Sequence, residues 1–165
     1  MTLPPEYAHW LESLGFDEIC VGYGGLKLFS PDELDQGQIG YSKSPVGRPL
    51  SNGAPGSWKP AWIVIGFDTL TSDPIILDIS SLQVMTAMHG EESWEPHPIA
   101  KSLQAFAATL REIKQVSAGR ENPVALEDNP IPSAERERVL QLIRNANDSG
   151  MDLEFWELLL ESGLD

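Results

Sequence analysis

Trp58-Lys59-Pro60-Ala61-Trp62-Ile63-Val64-Ile65-Gly66-Phe67, continued by Pro74-Ile75-Ile76-Leu77-Asp78-Ile79 and by Leu82-Gln83-Val84-Met85-Thr86-Ala87-Met88, is the stretch that decides the fold. Residues 61–67 and 74–79 are dominated by β-branched, aromatic and other apolar side chains, the composition of strands. Between them, Asp68-Thr69-Leu70-Thr71-Ser72-Asp73 is rich in turn formers, and Ser80-Ser81 makes a second turn. Three strands with short connections are most economically an antiparallel meander. The fold expected is α+β, a mainly antiparallel twisted sheet of about four to six strands flanked by helices.

Working outward towards the start of the chain, Leu3-Pro4-Pro5-Glu6-Tyr7 opens a helix, because proline in the first turn forfeits no hydrogen bond and Glu6 complements the helix dipole. Tyr7, Trp10, Leu11 and Leu14 share one face of it, His9 lies off that face towards water, and Gly15 is the stop. Phe16 to Tyr23 then reads as a strand, Gly24-Gly25 as a tight turn and Leu26-Lys27-Leu28-Phe29 as the return strand. Ser30-Pro31-Asp32-Glu33 fits a capping box before a helical turn carrying Leu34. Residues 37–60, rich in Gly, Ser, Pro and Asn, form a long loop of the kind that is either disordered or used for binding.

In the other direction, His89 to His97 forms an acidic loop containing Trp94, and Pro98 is expected to start the longest helix. Ile99, Leu103, Phe106, Leu110 and Ile113 would lie on one stripe of that helix, pressed against the sheet. Residues 117–123 end it, and Asn129-Pro130-Ile131-Pro132 delays the next helix until a cap at Ser133. Val139, Leu142, Ile143 and Ala146 face inwards there, while Glu135, Arg136, Glu137 and Arg138 face water. Asp148-Ser149-Gly150 breaks this helix, and Asp152 caps a last one with Phe155, Trp156, Leu159 and Leu160 before Gly163. Residues 1–165 read as a single domain, with 130–165 a C-terminal helical extension packed on it.

Charge narrows the function classes. The chain carries 25 acidic against 11 basic residues, a net charge of −14, which sets nucleic acid aside as a ligand because its phosphates would be repelled. A basic protein is favoured instead, since complementary fields speed association by about 10- to 1000-fold at low salt. No apolar run reaches the roughly 18 residues that cross a bilayer, and Met1-Thr2-Leu3-Pro4-Pro5 lacks the features of a signal peptide. A single cysteine, Cys20, excludes an internal disulfide. These features together lead us to expect a cytoplasmic protein with no membrane partner.

Candidate chemistry is sparse. His89 and His97 with Glu91, Glu92 and Glu95 have no H-x-x-x-H or H-E-x-x-H spacing, and Ser51-Asn52-Gly53-Ala54-Pro55-Gly56-Ser57 has no phosphate-loop spacing. Cys20, the serines and His9, His89 and His97 stand in no nucleophile-elbow context, so neither catalytic residues, cofactor nor metal ligands are assigned. Asp68 and Asp73 read as turn-shaping carboxylates. Trp10, Trp62 and Trp156 sit in apolar patterns and belong to the core. Trp58 and Trp94 lie in loops, where a tryptophan either anchors a partner or folds back on the core.

In this order the motifs resemble the SUKH superfamily, in the branch of Smi/Knr cell-wall regulators that also holds many bacterial immunity proteins. Leu3-Pro4-Pro5-Glu6-Tyr7 is similar to that family's L-P-x-x-Y helix start, and Leu26 to Glu33 to the segment after its Gly-Gly turn. Trp58-Lys59-Pro60 with Ile63 to Asp68, Asp73-Pro74-Ile75, Val84, His89 and Ile99-Ala100-Lys101-Ser102-Leu103-Gln104-Ala105-Phe106 continue the likeness through Leu110. That family commonly has an additional helix before the first motif, whereas the sequence here begins almost at the motif, and Gly22-Tyr23-Gly24-Gly25 stands where Asn-Gly-Gly is common. The resemblance implies a non-enzymatic immunity protein that neutralises a basic toxin domain, often a nuclease, by direct binding. A regulatory scaffold for an endogenous partner is the alternative, followed by a small metal or hydrolytic enzyme. Residues expected at the partner surface are Trp58, Asp68, Asp73, Glu91, Glu92, Trp94 and Glu95.

Overall fold

The apolar runs pair in the order in which the chain supplies them. In the computed structural model, which describes residues 4–161, β1 (Glu18–Val21), β2 (Gly24–Leu28), β3 (Trp62–Asp68), β4 (Pro74–Asp78), β5 (Val84–Thr86) and β6 (His97–Ala100) form one sheet of order β1-β2-β3-β4-β5-β6. Every neighbouring pair is antiparallel. Among the described residues six helices complete the α+β fold: α1 (Pro5–Leu14), α2 (Leu34–Gly37), α3 (Leu103–Ser117), α4 (Pro123–Asp128), α5 (Ser133–Ala146) and α6 (Glu154–Glu161). Leu3 and Gly163, assigned above to a helix start and a helix stop, lie outside the described residues.

Both faces of the sheet are covered, which is why the central strands read as continuous apolar runs instead of alternating ones. One face directs Ile63, Ile65, Ile75, Leu77 and Val84 into the main core; the other directs Trp62, Val64, Ile76 and Met85 into a smaller second core. Helices cover the first face. Phe106 of α3 stacks on Trp10 of α1, with ring centroids 5.7 Å apart, and lies 6.0 Å from Trp156 of α6. Both indoles are satisfied: Trp10 Nε1–H donates to the Leu103 carbonyl at 2.6 Å and Trp156 Nε1–H to that of Ile99 at 2.9 Å. Ile131, Val139, Ile143, Leu153 and Trp156 belong to the same core as the sheet, so the C-terminal helices are built into it.

Several expectations are corrected. Pro98 does not start a helix but lies in β6, an edge strand, where the missing N–H breaks no ladder. Ile99 is still fully buried, and α3 begins four residues later, where the Ser102 side chain accepts the Ala105 N–H at 3.1 Å. The first hairpin turns at Gly22-Tyr23, with Gly22 at φ 57°, the position that favours glycine in a two-residue turn. Gly24 and Gly25 are strand residues paired with Val21 and Cys20. Asn122-Pro123 does not merely end a helix; Asn122 accepts the Ala125 N–H at 2.9 Å and caps α4. Ser133 is the first residue of α5, with Pro132 as its cap, and Leu140 is buried there while Leu142 is intermediate.

Candidate functional site

The second face of the sheet has no helical cover comparable to the first, and here the irregular segments converge. Trp58, Trp62, Val64, Ile76, Met85 and Ala87 form its buried cluster, with Phe29, Tyr41 and Trp94 packed against it. The long segment between α2 and β3 is fastened at its start by Gln38, which is 1% exposed. The register of β2 with β3 ends at Leu28 opposite Gly66, followed by one more bond from the Phe29 N–H to the Ile65 carbonyl at 2.8 Å, while the pairing of β3 with β4 shifts between Val64 and Gly66. Past that point the Gln38 amide takes the place of a strand. Its Nε2–H donates to the carbonyls of Val64 and Leu34, both at 2.8 Å, and its Oε1 accepts the Val64 N–H at 3.0 Å.

Three loops meet above this cluster. Trp94 lies edge-on to Trp58 with centroids 5.1 Å apart, and 6.0 Å from Tyr41. The Trp94 N–H donates to the Gly56 carbonyl at 2.8 Å, which ties the 87–96 loop to the 38–60 segment. Tyr41 Oη–H donates to the Ser72 carbonyl at 2.8 Å, tying that segment to the β3–β4 turn. Burial, and after it the Asp73 carboxylate, raise the Tyr41 phenol, so it remains a proton donor. Asp73 closes the circuit: its Oδ1 accepts the His89 backbone N–H at 2.8 Å, and His89 Nδ1 lies 2.8 Å from the same oxygen.

The residues expected at a partner surface therefore take different positions. Glu91, Glu92 and Glu95 are exposed and Trp94 is half-buried, all on one loop. Trp58 is 2% exposed and lies beneath that loop, supporting it, with its indole N–H donating to the Trp62 carbonyl at 3.0 Å. Asp68 shapes its turn as expected, accepting the N–H groups of Leu70 and Thr71 at 2.7 and 3.1 Å. Asp73 instead reaches across to a different loop. Sequence reading placed His89 on the acidic loop and Leu70 in the turn after β3, but named neither of them, nor Tyr41 or Met88, at the partner surface; Leu70 and Met88 are exposed, at 60% and 64%. An aromatic residue within a Gly/Ser/Pro-rich segment was the available signal for Tyr41; the Asp73–His89 contact leaves none.

Elsewhere the arrangement offers little for chemistry. Burial, and then the neighbouring Glu18, raise the Cys20 thiol, the opposite of what an activated nucleophile requires. Among the described residues no three His, Cys, Asp or Glu side chains gather as metal ligands. An open groove of about 750 Å³ between α1, the β4–β5 turn and the start of α3 is lined by Trp10, Leu77, Leu82 and Leu103. Its hydroxyls are committed: Ser13 Oγ–H donates to the Trp10 carbonyl, and Ser102 caps α3. No helix among the described residues is long and apolar enough to cross a membrane. Compared with protein-family models, curated proteins and solved structures, the chain matches none.

Proposed function

We propose that this chain is a non-enzymatic binding protein, similar in kind to SUKH immunity proteins, that acts in the cytoplasm and neutralises a basic toxin domain by occupying it. The reading is carried by one observation: Trp94 stays half-buried on a loop whose Glu91, Glu92 and Glu95 are all exposed, whereas the other four tryptophans are buried. In a chain of net charge −14 this joins an aromatic anchor to a field that steers a cationic partner. Tyr41 and Trp58 hold the anchor from below, so little side-chain freedom remains to be lost on docking. The acidic rim governs the rate of encounter and the desolvated aromatic governs release.

The test is direct binding to a purified basic nuclease-type toxin domain at two salt concentrations. Substituting Trp94→Ala together with Glu91→Ala should weaken binding by about 30-fold or more, because a central tryptophan anchor is worth about 2 kcal/mol or more. Unchanged affinity in the double variant would place the contact elsewhere and defeat the reading.

A further inference from the structure

We propose that Asp73 is a positioning residue for this surface, holding the 87–96 loop in the shape that a partner meets; this rests on the reading above and adds to it a division of labour among the carboxylates. The loop lies between β5 and β6 and is fastened at two points, His89 to Asp73 and Trp94 to Gly56. Residues 90–93, with the exposed Glu91 and Glu92, arch between these fastenings. One Asp73 oxygen serves both the backbone N–H and the ring of His89, and only 21% of the Asp73 side chain is exposed. A carboxylate engaged in this way is committed within the molecule, whereas Glu91 and Glu92 are exposed, as is Glu95, which accepts the Ser93 hydroxyl at 3.5 Å. The Asp73 backbone also closes its own turn, its carbonyl accepting the Asp68 N–H at 2.9 Å. Its side chain is therefore presented to His89 from a fixed base. Cutting this fastening frees the arch, which must then be ordered again when a partner binds.

Collisional quenching of tryptophan fluorescence by acrylamide reads the loop selectively, because Trp10, Trp58, Trp62 and Trp156 are buried and Trp94 is not. Asp73→Ala should raise the quenching constant about twofold and weaken binding of an octa-arginine peptide by about tenfold, with most of the change in dissociation rate. Asp73→Asn removes the charge but keeps an oxygen for the His89 N–H, so it should stay within about twofold of the parent in both readouts. Equal weakening by the two variants would make Asp73 a direct charge contact and overturn the proposal, as would unchanged quenching in Asp73→Ala. If the unsubstituted protein does not bind the peptide, the proposed function loses its support, while the quenching comparison still decides the role of Asp73.

Discussion

Replacing Gln38 with methionine removes an amide while keeping nearly the same volume, so its effect comes from unmet hydrogen bonds and not from a cavity. The Val64 N–H and carbonyl lose their partner, and Val64 is fully buried, so water cannot take over. An orphaned buried backbone group costs about 1–3 kcal/mol, and the Leu34 carbonyl also loses a donor, so the expected loss is about 4 kcal/mol. With a urea m-value of about 2 kcal/mol/M, the unfolding midpoint should fall by about 2 M at neutral pH, followed by tryptophan fluorescence. Gln38→Glu sharpens the test. Its carboxylate has no proton to donate to Val64 O or Leu34 O, so folding raises its pKa above the ordinary value of about 4.3. For a carboxyl shifted in that direction the penalty is absent below the unfolded pKa and grows as pH rises towards the folded one. This variant should therefore recover as pH falls towards about 4, whereas Gln38→Met should not. A midpoint within about 0.5 M of the parent for Gln38→Met, or a pH-independent deficit for Gln38→Glu, would refute the idea that this amide completes the sheet.

Two further outcomes are expected. Phe106→Asp places a charge between Trp10 and Trp156 at a fully buried site and should leave almost no soluble protein; parent-like thermal stability would contradict the packing of α3. Asp17 is held below its usual 3.8 first by the hydrogen bond from Lys27, so its contribution is present above that value and is lost as pH falls through the lower folded one. Asp17→Asn should accordingly lower the melting temperature near pH 7 and converge with the parent well below 3.8; a constant offset would contradict the assignment.

The sheet and its helical side were legible because their signals are local. Tyr7, Trp10 and Leu14 recur at helical spacing and are buried, and the runs around Ile63, Ile75 and Val84 became paired strands. Pro98 misled because proline suits a first helical turn and an edge strand equally well, and only the partner strand decides between them. The paired Gly24 and Gly25 failed in the same way: two glycines suit a turn, yet Gly25 is needed in the strand, where an added Cβ would meet the Ile19 carbonyl at 2.5 Å. Asn122-Pro123 is as good a helix cap as it is a linker, and the short α4 rests on one buried side chain, Leu126. At the candidate site the acidic loop could be read, but its architecture could not. Gln38 to Val64, Tyr41 to Ser72 and Asp73 to His89 join residues 26, 31 and 16 positions apart, and a polar residue in a loop carries no periodic signal of what it will meet.

The two coats of the sheet differ in how freely they can change over time. Helices on the first side interlock through one aromatic stack, so most substitutions there disturb several neighbours at once. On the second side, a few tethers hold segments whose outermost residues, such as Leu70, Met88, Glu91 and Glu92, are exposed. Exchanging the outermost side chains there would leave the tethers from Gln38, Tyr41 and Asp73, and the sheet behind them, in place.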